Sequence, residues 1–546
     1  LFEKGIILGR IFATKLQANV ERVSPVWSVF DSVVLWAVSV FGAVAAFALL
    51  LTPYFFRPAE DAVILFQFSR NLAQTGAITY IPHGPHAEGA TDFAWMVLIS
   101  AAMKVHIPPY FFVACVNTIS AFLLAYLLLR IAGRKLSLLP ALFIIGAFSL
   151  MPQVFSALLG FSSLPFAVLL VLLAWTLIEN CYIAMPVVAL VLCLFRPDGV
   201  VFAVPALIAA LVLYKGRRRA LFMDFSLFVL PGLLYFCWRW HYFGQFLPLP
   251  FMVKSNAQRI GGYLVLSSLQ ESILLLVFCG SVLLVLLRGR LNVPINRVVL
   301  LCMVVLPNIF YWAMRLDQDV GYRFFIFIPI GTAILVAMNW DGTPSRALVL
   351  RTAALVWLIC IFHTWGAQGH GSMGAQFPSR YSVADDLARI PHGKLLTTEA
   401  GIVPYYSGWP SYDAWGLNTV QFAKHLLQPA DVAALNPDLV MAHTRPGGEL
   451  DCIPHADWQT PYQERTWQNM SRNLIAGADP AHYDLWLVPR GAATSQKGVR
   501  GTDHDCWLVR KDSPLGQTLD AIMQRHEGLT LDQYQALLQS QSVATH

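Results

Sequence analysis

Two adjacent acids, Glu60 and Asp61, open the stretch EDAVILFQFSRNLAQTGAITYIPHGPHAEGATDFAW, which lies just beyond an apolar run ending near residue 52. They follow Pro58 and begin a helical pattern that Gly76 ends. Acids in a first helical turn suit capping and the macrodipole, so a purely structural role is open to both. Neighbouring acids can also divide labour, one as general base and one as metal ligand or orienter. His83 and His86 follow as candidates for placing a substrate or metal, although loop histidines are more often solvated. Glu88 stands a few residues before the next apolar run, where an acid has little structural purpose.

Further charged groups punctuate the apolar sequence. Arg196 and Asp198, in LFRPDGVVF, read either as a self-neutralising pair at a helix end or as an arginine aimed at an anion and steadied by its aspartate. Lys254 ends the aromatic, proline-rich YFGQFLPLPFMVK, and RLDQDVGYRFF carries Asp317, Asp319, Tyr322 and Arg323. Arginine grips phosphate oxygens as a fork and lysine as a point charge, so Arg196, Lys254 and Arg323 compose a phosphate clamp, with Tyr322 beside it. Asp198, Asp317 and Asp319 join Glu88, His83 and His86 as candidates for placing substrate or metal. No zinc-type Cys/His spacing, Walker loop or GxGxxG is present. The cofactor stays open, with a divalent cation as the one candidate.

The elements that position these groups belong to a membrane protein. Of 546 residues 56% are hydrophobic and 13% charged, and the mean hydropathy is +0.56. Apolar runs of roughly 15 to 23 residues recur up to about residue 364, long enough for a hydrocarbon core of about 30 Å. Residues 1–29 read as a basic cytoplasmic lead-in without the hallmarks of a removable signal peptide. Residues 30–365 form the transmembrane domain, with the outer loop 53–92, and 366–546 a soluble α/β domain. Its strands are expected in KLLTTEAG, PDLVMA and YDLWLVPR. The net charge of +6 comes largely from short basic loops and does not point to nucleic acid.

Those loops set the orientation. Basic clusters at Lys4/Arg10/Lys15/Arg22, Arg130/Arg134/Lys135, residues 215–219, Arg288/Arg290/Arg297 and Arg346/Arg351 all fall in the cytoplasm if about eleven crossings are drawn. The crossings are 30–52, one composite element within 93–131, 137–151, 164–178, 182–195, 200–214, 222–242, 265–287, 297–313, 322–340 and 348–364. The soluble domain then lies outside, with the loops 53–92, 157–165, 195–199, 239–254 and 315–325. Ionisable groups gathered at one membrane face predict a shared polar cavity there. Cys452 and Cys506, the two cysteines of the tail, fit an extracytoplasmic disulfide.

Taken in order, the motifs resemble the GT-C membrane glycosyltransferases, most closely the branch of mycobacterial terminal arabinofuranosyltransferases and pilin arabinosyltransferase-like enzymes. The acidic pair, RNL, the glycine and E-G-x-T of the first loop carry the likeness. FRPDG, YFG…LPLP…K, GYRF and TTEAGIVPYYSG…YDAWGLN continue it to about residue 420. The resemblance implies a GT-C fold and an inverting transfer of a monosaccharide, arabinofuranose among the options, from a polyprenyl-phosphate donor. The acceptor would be a hydroxyl on a periplasmic surface protein, polysaccharide or glycolipid, at the bacterial inner membrane. It implies Glu60 or Asp61 as the base. Relatives more often begin the pair with Asp, and they often carry an acid where this chain has Ser162 and Ser163. A transporter or flippase of a lipid-linked or anionic substrate is the competing reading. The absence of an inverted repeat and the placing of the acids in loops argue against it.

Overall fold

The computed structural model describes residues 57–132, 157, 159–214, 217–255, 272–273, 275–277, 279–284, 287–313, 320–339, 378–443, 467–490 and 504–544. The lead-in 1–29, the spans 30–52, 137–151 and 348–364, and Asp317, Asp319 and Cys452 lie outside those residues.

The opening acids do start a helix, α1 (Glu60–Thr75), which stops where Gly76 takes a left-handed φ of 75° and its N–H closes on the Leu72 carbonyl. The expected composite element is two helices, α2 (Phe93–Lys104) and α3 (Pro109–Ala132). Between them His106 adopts a φ of 62°. At 1.5 Å per residue α2 is about 18 Å long, short of a bilayer core, and α3 is long enough to cross one. Among the described residues three helices are long and apolar enough to cross a membrane, Pro109–Ala132, Arg218–Phe243 and Pro294–Ala313. Shorter apolar helices include Ser163–Ile178, Ala184–Phe195 and Arg323–Asn339. The last two long helices each contain one π-helical turn, Phe225–Val229 and Leu301–Val305. Each lies just before a proline, Pro231 or Pro307. A proline lacks the N–H that the preceding turn needs, and the widened turn absorbs the defect.

Leu170, Val171, Leu173 and Ala174 pack with Phe202, Phe327, Ile330 and Ile334 in one apolar core. By contrast, Val204, Ile208, Leu233 and Leu234 are exposed, as expected of side chains that meet lipid.

The tail is an α/β domain built on a six-stranded sheet. In chain order the strands are β1 (Leu395–Thr397), β2 (Ser411–Asp413), β3 (Leu439–His443), β4 (Tyr483–Pro489), β5 (His504–Arg510) and β6 (Leu529–Thr530). They lie side by side as β2-β1-β3-β5-β4-β6. β1 runs parallel to β2 and β3, and the remaining pairings are antiparallel. Strands arise at all three expected places; β2, β5 and β6 are additional. Alternate residues feed two cores, with Leu396, Val440 and Leu508 against Met470 and Leu474 on one face. On the other, Leu395, Leu439 and Val509 pack against Val383, Leu387 and Leu519. Helices on both faces explain why β1, β3 and β4 are mostly apolar on both sides.

The tail rests on α1. Tyr80 donates to the Ala400 carbonyl at 2.6 Å, Tyr381 to that of Pro58 at 2.7 Å, and Arg70 to that of Tyr405 at 2.7 Å. A Cβ on Gly401 would fall 2.1 Å from the Glu60 carbonyl oxygen, and one on Gly89 2.0 Å from Asn418 Oδ1. At both places only glycine permits the approach.

Candidate active site

Contacts join all five loops expected on one side. Loop 53–92 meets loop 315–325 through Asp61 and Arg323, 3.0 Å apart. It meets loop 157–165 through Ser162, which donates to Asp92 at 3.0 Å. It meets loop 239–254 through Arg239 and Glu88, 2.6 Å apart. Loop 195–199 joins through Arg196, whose guanidinium lies 4.4 Å from the Phe166 ring centre and 4.9 Å from that of Phe324. Asn296, Asn339 and Arg290, from the opposite ends of their helices, hydrogen-bond one another elsewhere.

Glu60 and Asp61 have separate partners. Glu60 Oε1 accepts the Gly401 N–H at 2.5 Å and the Ile402 N–H at 2.9 Å, and Oε2 lies 3.6 Å from Arg380 Nη1. Burial raises its pKa, opposed by Arg380 and the two amides. Its carboxylate is thus turned to the tail. Asp61 has Arg323 as its hydrogen-bond partner among the described residues, and its side chain is 28% exposed against 15% for Glu60. Both acids lie in the first turn of α1, whose cap position, Ala59, makes no side-chain bond.

Arg323 is framed by aromatic rings, 4.0 Å from the Phe161 centre and 5.0 Å from that of Phe324. Its Nη1 is buried and has no hydrogen-bond partner among the described residues. Arg196 is different. Asp198 grips it through two bonds, 2.6 and 3.1 Å, and Tyr311 donates to the same carboxylate. The FRPDG arginine therefore forms the self-neutralising pair, against the same Phe324 ring as Arg323. Lys254 is exposed near the end of helix Leu249–Ser255. Arg196 and Arg323 share one aromatic ring, Phe324. Tyr322 lies in the 3-10 turn Val320–Phe325, beside Arg323.

Glu88 is buried against Arg239, which also donates to the Phe246 carbonyl at 2.9 Å. Burial raises the pKa of Glu88, opposed by that arginine. His83 is exposed, and His86 stacks on Tyr242 with ring centres 4.0 Å apart. Among the described residues no bond joins either histidine to an acid. No group of three or more His, Cys, Asp or Glu side chains there is arranged to hold a metal. Cys506 is disulfide-bonded, and its partner lies outside the described residues.

Several residues at the site escaped the sequence reading. Asp92 occupies the cap position of α2 yet makes no capping bond. It faces Ser162 instead, and burial raises its pKa against the opposing pull of Arg196. An acid just before a helix reads as a cap, so its type and position did not single it out. Arg239 was hidden in an aromatic run. In the tail, Arg380 is fully buried, forked onto Asp505 at 2.6 and 2.9 Å and bonded to Glu399 at 3.0 Å. Burial pushes Glu399 up to about 8, while burial and then Arg380 push His443 down to about 3.

Comparisons with known proteins add to this geometry. A family model described as a domain of unknown function, DUF8728, matches residues 375–491. Curated proteins give no match. Among solved structures, the chain is similar to ArnT from Cupriavidus metallidurans in the apo state, with a TM-score of 0.55 at 13% identity over 87% of this chain and 98% of that one. With ArnT bound to undecaprenyl phosphate the TM-score is 0.50 at 13% identity, over 75% and 93%. Arabinofuranosyltransferase AftD from Mycobacteria aligns with a TM-score of 0.42 at 13% identity, over 87% of this chain and 40% of that one. The fold is that of ArnT.

Proposed function

We propose that this chain is an inverting membrane glycosyltransferase that moves a monosaccharide from a polyprenyl-phosphate donor to an acceptor hydroxyl on the outer face of the bacterial inner membrane. The observation that carries it is the Asp61–Arg323 pair, a partly exposed carboxylate beside a guanidinium whose buried Nη1 has no partner among the described residues, in a GT-C fold. The undecaprenyl phosphate bound to ArnT supports a lipid phosphate as the donor's carrier. An apolar exterior suits a polyprenyl tail. Arabinofuranose as the sugar, and a pilin, polysaccharide or glycolipid as the acceptor, rest on the motifs of the first loop and tail.

In this reading Asp61 takes the proton of the acceptor hydroxyl as its oxygen attacks the anomeric carbon. The bond from that carbon to the phosphate oxygen breaks on the opposite face, so configuration inverts. Arg323 holds the charge that develops on the departing phosphate. Glu60 does not meet the acceptor; it fixes the start of α1 against the tail and so positions Asp61. Asp92, bonded to Ser162 and within the field of Arg196 and Arg323, serves to orient the sugar. Cys452 is the proposed partner of Cys506.

A general base contributes about 10²–10⁴-fold to rate. Asp61→Asn should therefore lose transfer of sugar from a synthetic polyprenyl-phosphate arabinofuranose by a factor of that order, in protein that still binds the lipid. Turnover near the wild-type value would remove Asp61 from the chemistry. Mass spectrometry of surface glycans and proteins with and without the gene would identify sugar and acceptor.

A further inference from the structure

Asp61 and the donor phosphate would need the same arginine. We propose that they compete for it: Arg323 masks Asp61 in the resting protein, and the donor's phosphate draws the guanidinium away, so that the base becomes free only once donor lipid is bound. The inference rests on the reading of Asp61 and Arg323 just given.

The geometry favours exchange over a fixed pair. Arg323 Nη2 donates to Asp61 Oδ2 at 3.0 Å, and its buried Nη1 has no partner among the described residues. One edge of the fork is engaged while a donor is left unused. The guanidinium is kept in place by the rings of Phe161 and Phe324 whichever anion it meets. A phosphate can take two N–H groups of one guanidinium, which the present contact with Asp61 does not. Asp61 is the more exposed partner, 28% against 13% for Arg323, so it can turn to water or to an acceptor hydroxyl when released. Glu60 is turned the other way: its Oε1 accepts two tail amides, and its Oε2 lies 3.6 Å from Arg380.

Masking has a chemical consequence. The Asp61 oxygen that accepts the guanidinium N–H is not free to take the acceptor's proton. Transfer of the guanidinium to the phosphate frees that oxygen at the moment an acceptor is needed. After transfer the departing phosphate carries one more negative charge than it did as a diester, and it holds Arg323 until it leaves. Asp61, having taken the acceptor's proton, returns it to solvent before re-pairing. Donor binding thereby precedes activation of the acceptor.

Undecaprenyl phosphate in detergent micelles provides the test, with binding measured on the full chain by thermophoresis. Asp61→Asn should bind about fivefold more tightly than wild type, the order of magnitude of a partly exposed ion pair released from competition. Asp61→Ala, as a second variant, should do the same. The gain should vanish when Arg323→Ala is added. Asp92→Asn removes equal charge from a carboxylate bonded to Ser162 and not to Arg323, and should bring a smaller gain. An unchanged or weaker affinity for both Asp61 variants, with Arg323→Ala still weakening the lipid, would overturn the exchange alone. A gain that persists without Arg323 would also overturn it, pointing to plain charge repulsion. No binding by wild type, or full binding by Arg323→Ala, would remove the phosphate site itself and the exchange with it.

Discussion

Glu60 and Asp61 are consecutive, and each is paired with an arginine, yet the two pairs belong to different regions. Glu60 faces Arg380, a fully buried residue of the tail, and bonds two amides of the same domain. Asp61 faces Arg323, of a loop in the membrane domain. Successive side chains on an α-helix point about 100° apart, so the first turn of α1 presents one acid to each region. The lesson is one of division. A buried acid held by amides and an arginine is fixed, and suits docking. A more exposed acid with a single partner can exchange it, and suits chemistry.

The two regions can be pulled apart experimentally. The largest effect expected beyond loss of the base is on the Arg323 side. Arg323→Ala should weaken binding of a polyprenyl phosphate by about 10- to 150-fold, the worth of a charged hydrogen bond, and leave the tail's stability unchanged. Equilibrium binding in micelles, with thermal unfolding as the control, checks both halves.

On the Glu60 side, Gly401→Ala places a methyl against the Glu60 carbonyl and should cost about 1–3 kcal/mol through overpacking. Chemical unfolding of the full chain reads the loss, and transfer should persist in the folded fraction. Stability equal to wild type would mean that the tail is not seated on α1 as described.

A subtler effect comes from Glu399. It keeps its proton up to about 8 when folded, against a reference value of 4.5. Between those values the folded state binds the extra proton, so this residue makes stability fall as pH rises. His443, pushed down to about 3 from 6.5, acts oppositely, but its window closes at 6.5. From pH 6.5 to 8 the Glu399 contribution is no longer opposed by His443, and Glu399→Gln should make the slope shallower. An identical slope in the variant would contradict the assignment. Smallest of all in consequence for the site, non-reducing peptide mapping should join Cys506 to Cys452.

Much of this organisation could be read from the chain. Basic clusters and apolar runs predicted which five loops share one end, and their contacts do join them. Helix α1 and its stop at Gly76 followed from local chemistry. What escaped reading depends on distant contacts. Arg380 lies 320 positions from Glu60 and looks like an ordinary helix residue until Asp505 and Glu399 close around it. Lys254 and Arg323 carry the same charge in similar loops, and only packing shows that one faces Asp61 while the other is exposed. Strand β2, three residues long, is too short for periodicity to detect. β5, HDCWLVR, begins with polar residues that are buried only because Arg380 and Arg490 meet Asp505.

The division between the adjacent acids is tested most directly by measuring two properties in two variants. Single-turnover sugar transfer and amide hydrogen exchange at Gly401 and Ile402 should be followed in Glu60→Gln and Asp61→Asn. Glu60→Gln should speed exchange at those amides and retain most transfer, whereas Asp61→Asn should abolish transfer and leave the amides protected. Loss of transfer in Glu60→Gln with near-normal turnover in Asp61→Asn would contradict the account.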